Sequence, residues 1–166
     1  MKFLWLFEAV VISDNKKSRS PANRVGGVSI TLFVIYLAIL FWASFNPQPI
    51  DAKGPIHALT MWLVDLAKAN QDLKWLDYNM IESIANVLLY IPLGLGIAAL
   101  VKGLPWWGDV LLGVAVTLTA EFGQMLFLPN RFATVMDVWN NSLGVLLGVV
   151  ILKSIVRLRE LRLSQG

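Results

Sequence analysis

Glu121 and Gln124 lie in one apolar run, Asp137, Asn140 and Asn141 open the next, and the link between them holds a single arginine, Arg131. A carboxylate among amides, close in sequence to one guanidinium, supports a small set of chemistries. Glu121 is a candidate general acid or base, or a ligand for a cationic group. Arg131 offers a planar fork to a phosphate or carboxylate. Gln124, Asn140 and Asn141, with Asn86 from an earlier run, can orient either group.

Each of these residues also has a structural reading. Glu121 can pair internally with Arg131, or stand protonated against Asn86 or Asn141. Arg131 can bind lipid phosphate or Asp137. Thr134 and Asp137 make a T-x-x-D pattern that resembles a capping box, and an anion there suits the helix dipole. Asn141 can act as polar glue between helices. At this level both sets of roles stay open.

The elements that must position these groups are membrane spans. Of the 166 residues 57% are hydrophobic and 15% charged, whereas a soluble domain carries about 25% charged residues. The apolar surplus falls in four runs, 28–45, 82–101, 107–128 and 135–152, each near the ~20 residues that cover the hydrocarbon core. Backbone amides in lipid must be paired within their own segment, so the expected fold is all-α: a polytopic four-helix membrane bundle. Its parts are a basic segment over 1–27 with an interfacial helix at 1–12, a membrane domain over 28–152, and a basic tail over 153–166.

Lysine and arginine set the orientation. Lys2, Lys16, Lys17, Arg19 and Arg24 precede the first span, Lys102 separates the second from the third, and Lys153, Arg157, Arg159 and Arg162 follow the fourth. The connection between spans one and two balances Lys53, Lys68 and Lys74 against Asp51, Asp65, Asp72 and Asp77. The positive-inside rule then puts both termini in the cytoplasm and this longer connection outside. Within it Ile56, Leu59, Leu63 and Leu66 recur at helical spacing, with Asp65 and Lys68 on another face, which predicts an amphipathic helix on the outer leaflet.

With that topology, Asn86, Glu121, Gln124, Asp137, Asn140 and Asn141 all fall in the outer halves of their spans. Thr117, Glu121 and Gln124 share one helix face, as do Asp137, Asn141, Gly144 and Gly148. The short link makes spans three and four antiparallel neighbours. The glycines below Asn141 allow another helix to approach closely. In span two, Pro92 withholds the amide that Leu88's carbonyl would use.

Several classes are set aside. The chain has no cysteine and one histidine, His57, which leaves no thiolate or histidine metal site and no Ser–His–Asp arrangement. There is no G-x-S-x-G and no glycine-rich phosphate loop before a lysine. No cofactor and no metal are expected. The basic residues serve topology, so nucleic acid is not an expected partner; membrane lipids are.

Three pieces of the chain, taken together, resemble VanZ-like membrane proteins, a family named for a protein linked to teicoplanin resistance. They are Asn86-Val-Leu-Leu-Tyr-Ile-Pro92-Leu-Gly94, Glu121-Phe-Gly-Gln124 with Arg131 after it, and Asp137-Val-Trp-Asn140-Asn141-Ser-Leu-Gly144. They cover 82–152, and the amphipathic outer segment lies outside them. The resemblance implies a multi-pass protein of the bacterial cytoplasmic membrane tied to glycopeptide resistance. It supplies no mechanism.

The functional expectation is a polar pocket open to the exterior that handles an envelope component, such as a lipid-linked cell-wall precursor. Arg131 would hold an anionic head group, Glu121 would exchange or position a proton, and the amides would orient both. An enzyme acting on that substrate, a binding protein without chemistry, and a structural partner whose polar cluster only holds helices together are the competing classes. The topology itself is directly testable in a chain without cysteine. On whole cells, an impermeant thiol reagent is expected to label Gln71→Cys and to spare Ser164→Cys; the opposite pattern reverses the orientation.

Overall fold

The computed structural model describes residues 22–47, 53–73, 75–101, 103–128 and 134–165. The expected interfacial helix at 1–12 and Arg131 lie outside the described residues. The described residues form five α-helices: α1 (Ala22–Ser44), α2 (Pro55–Ala69), α3 (Tyr78–Leu100), α4 (Trp106–Phe127) and α5 (Val135–Leu163), with a short 3-10 turn at Gln71–Leu73. There is no strand among the described residues. Helices α1, α3, α4 and α5 are long and apolar enough to cross a membrane, which is the all-helical, four-span architecture expected. The protein is a multi-pass membrane protein.

Local chemistry fixes the helix ends. Asp77 caps α3 by accepting the Met80 amide at 2.8 Å. Pro105 precedes α4, where a missing amide costs nothing. Thr134 and Asp137 close a reciprocal capping box on α5. That helix runs to Leu163, beyond the expected end at 152, because nothing after Leu152 breaks it. The basic tail is therefore largely its last turns, with Arg157 and Glu160 paired at 3.6 Å on the surface.

The centre of the bundle is a glycine-lined contact between α3 and α5. A Cβ at Gly144 would collide with the carbonyl oxygen of Val87, one at Gly148 with that of Ile91, and one at Gly94 with that of Val145. From Val87 against Gly144 to Ile91 against Gly148 the contacts ascend together, so α3 and α5 run parallel, backbone against backbone. Small residues permit this approach, and in lipid close packing rather than hydrophobic exclusion drives helix association. Tyr90, Leu93, Ile97, Val145 and Val149 fill the surrounding core.

The other spans are arranged around this pair. Helix α4 lies antiparallel along α5, with Gly113 accommodating the side chain of Val145. Helix α1 packs on α3: the Phe33 ring occupies the space beside Gly96, and Tyr36 donates its hydroxyl to the Leu89 carbonyl at 2.9 Å. Pro92 sits inside an unbroken α3, and the Tyr36 bond reaches the carbonyl next to the one the proline leaves without an amide. The outer surfaces are hydrocarbon: Val34, Ile39 and Phe41 on α1, Leu111, Leu118 and Phe122 on α4, and Val150 on α5 are exposed.

Helix α2 leaves Ile56, Leu59 and Leu66 of its apolar stripe exposed, as a helix lying on a leaflet requires. The side it buries against the rest of the chain, not read from the sequence, is Thr60, Val64 and Ala67. Asp65 and Lys68 pair at 3.6 Å on a third side. The helix thus has a packed flank, an apolar flank free for lipid and a charged flank.

Gly144→Ala and Gly148→Ala are each expected to cost about 1–3 kcal/mol, the range for overpacking a tight contact. Thermal unfolding in detergent checks this, with Gly27→Ala as the control: nothing lies within 4 Å of a Cβ there, and its melting point should not fall.

Candidate functional site in the membrane bundle

Helix α4 buries two carboxylates, a hydroxyl, an amide and two glycines: Asp109, Glu121, Thr117, Gln124, Gly108 and Gly113. None of its buried side chains is a large apolar one, and most of its hydrocarbon points outward, with Val110 packed against the core. Polar side chains turn inward because lipid offers them no partner. Glu121 and Thr117 recur on this face by helical spacing, as the sequence predicts.

Two cross-helix hydrogen bonds gather the polar residues around α5. Asn141 donates Nδ2 to Glu121 Oε1 at 2.9 Å, in the interior. One turn earlier, Asp137 Oδ1 accepts Nδ2 of Asn86 from α3 at 3.2 Å. The second oxygen of Asp137 takes the Thr134 amide at 3.1 Å and the Thr134 hydroxyl at 2.6 Å. Asp137 thus serves as helix cap and inter-helix acceptor at once. Of the two amide partners open to Glu121 in the sequence, the structure supplies Asn141, while Asn86 goes to Asp137.

Gln124 and Asn140 are buried within one turn of this pair along their own helices. At roughly 1.5 Å per residue, Glu121 lies about 9 Å from the Phe127 end of α4 and Asn141 about 9 Å from the start of α5. This is the end that lysine and arginine assign to the exterior. Asn86–Asp137 and Asn141–Glu121 are two hydrogen-bonded pairs one turn apart on α5, together a polar layer drawn from three helices, and the link carrying Arg131 joins two of those helices in sequence. His57 is exposed on α2. No group of three or more histidine, cysteine or acidic side chains that could hold a metal occurs among the described residues.

A second polar contact, not read from the sequence, lies at the opposite end. Asp109 is fully buried, and Lys153 of α5 places its ammonium 2.9 Å from Asp109 Oδ2. The contact is an ion pair without hydrogen-bond alignment, and Asp109 Oδ1 has no hydrogen-bond partner among the described residues. Lys153 counts toward the cytoplasmic positive charge in sequence, yet it folds back against α4. The available signal was an aspartate on the same helical stripe as Thr117 and Glu121.

A family model described as VanZ/LLP1 matches residues 33–157. The matched range takes in both polar contacts. It also includes α2, which lies outside the motifs that carry the resemblance in sequence. No curated protein matches the chain. No solved structure matches it either.

Removing one partner of a buried ion pair strands the other, at about 3–5 kcal/mol in the fully buried limit. Lys153 is partly exposed, so a smaller loss is expected for Lys153→Met. The double variant Asp109→Leu with Lys153→Met should melt above Lys153→Met alone, as read by thermal unfolding in detergent. Equal melting points would show that the pair is not coupled.

Proposed function

The chain belongs to the VanZ/LLP1 family, and from that membership we propose that the layer formed by Asn86, Glu121, Asp137 and Asn141 is the floor of an outward-facing polar pocket. The pocket binds an envelope component at the outer leaflet of the bacterial cytoplasmic membrane, such as a lipid-linked cell-wall precursor. Gln124 and Asn140 complete its amide set, and Arg131 takes the anionic part of the head group. Glu121 exchanges or positions a proton on the ligand. By occupying or altering that component, the protein modulates susceptibility to glycopeptides such as teicoplanin.

The observation that carries this reading is the buried bond from Asn141 to Glu121. Inter-helix polar bonds in membranes return about 0.6 kcal/mol on average. A charged side chain costs up to about 2.5–3.5 kcal/mol on insertion scales, less toward the interface. Helix adhesion alone is thus a poor return for a carboxylate at this position, and an acid–base or ligand role explains its presence better. The same bond is also what favours a second reading, in which the layer is a structural clasp between α4 and α5.

Glu121→Gln separates the two. It keeps the shape of the side chain and an acceptor for Asn141 while removing the ionisable group. In a susceptible host that wild-type protein makes teicoplanin-tolerant, the variant should lose that tolerance at normal expression. Its melting point should stay within about 2–4 °C of wild type, equivalent to about 1 kcal/mol for a chain of this size. Full tolerance in the variant would exclude a role for the carboxylate, and a large drop in melting point would favour the clasp.

A further inference from the structure

The side-chain donors of Asn86, Asn141 and Thr134 turn to the two carboxylates of the layer, and one acceptor in its interior is left without a partner among the described residues. Asn141 spends its amino group on Glu121, Asn86 on Asp137, and Thr134 both its amide and its hydroxyl on Asp137. Thr117, on the face of α4 that carries Glu121, turns its hydroxyl to the Val114 carbonyl at 2.8 Å. Asn141 is 3% exposed, and its Oδ1 has no hydrogen-bond partner among the described residues. With Glu121 ionised, the orientation of that amide follows from its neighbour, because a carboxylate can only accept and so calls the Nδ2 edge toward itself. Oδ1 is then left on the other edge.

We infer that the head group bound in this layer meets Asn141 with a hydrogen-bond donor, a hydroxyl or an ammonium N–H. This rests on the reading of the layer as a ligand site and adds which part of the ligand reaches its floor. Two carboxylates and an orphaned amide oxygen make a surface rich in acceptors. A bare phosphate or carboxylate brings only more acceptors and more negative charge, so it is repelled from this floor. A hydroxyl satisfies Asn141 Oδ1 directly. An ammonium does so and also neutralises the adjacent carboxylate, and hydrogen bonds to charged groups are the stronger kind.

Lipids matched in charge and differing only in donors test this. The purified full-length protein is held in lauryldimethylamine oxide, a detergent that brings no hydroxyl, and short-chain lipids are titrated by native mass spectrometry. Phosphatidylethanolamine is compared with phosphatidylcholine, and phosphatidylglycerol with phosphatidylmethanol. One satisfied buried acceptor corresponds to about tenfold in Kd, so the donor-bearing member of at least one pair should bind about tenfold more tightly. A split in the first pair identifies an ammonium, and a split in the second a hydroxyl.

In Asn141→Leu that retains the wild-type melting point, the split should vanish, and its survival would overturn the inference. Should that variant fail to fold, the wild-type comparison decides alone. Wild-type protein that binds both members of each pair with equal affinity overturns the donor requirement and leaves the pocket standing. Loss of tolerance in Glu121→Gln bears on the pocket independently of this result.

Discussion

Hydrocarbon gives a polar side chain nothing to bond, and α4 is organised around that fact. A soluble amphipathic helix turns its leucines inward. Here Leu111, Leu118 and Phe122 are exposed while Asp109, Thr117, Glu121 and Gln124 are buried. The arrangement holds only if other helices supply partners at the same depths. Helix α5 supplies two of them, Asn141 to Glu121 and Lys153 to Asp109. Antiparallel pairing follows, because one donor lies near the start of α5 and the other well along it.

Helix α5 can serve α4 in this way because its other edge is bare. Gly144 and Gly148 lie against the α3 backbone, and Asp137 lies on that edge as well, where Asn86 reaches it. One edge is thus a close-packed seam and the neighbouring edge a row of polar and apolar contacts to α4. The seam fixes α5 relative to α3, which in turn fixes where Asn141 presents its amide. Packing and polar chemistry are therefore coupled: loosening the glycine seam would shift the donor that Glu121 depends on.

The four spans were legible in the sequence because hydropathy and length act directly on each segment. The inward stripe of α4 was legible for the same reason, since helical spacing is a local property. What was not legible depends on pairing. The short link pointed to α4 and α5 as neighbours, which they are, but the closest contact is between α3 and α5, two parallel helices separated by a whole span. Glycine spacing showed that something packs against 144 and 148 without showing what. Lys153 looked like one more interfacial charge, and nothing in its neighbourhood announced Asp109, which is distant in sequence. In α2, the Ile56 and Leu59 stripe dominated the pattern, and the flank actually buried, Thr60, Val64 and Ala67, is less apolar because it faces a helix rather than lipid.

The two polar contacts of α4 also bear on access to the proposed pocket. Along α5, Asn141 and Lys153 are separated by about 18 Å at the helical rise. Between them lie Val145, Val149 and Leu152, each exposed by 1% or less. Val145 is seated in the space that Gly113 leaves open on α4, so even the smallest residue on the polar stripe is covered by hydrocarbon. A ligand that reached Glu121 from the Lys153 end would have to displace this packed layer, whereas Asp137 and Thr134, at the opposite end, are partly or fully exposed. The geometry of the apolar middle, more than the position of any single polar residue, is what makes the proposed pocket one-sided.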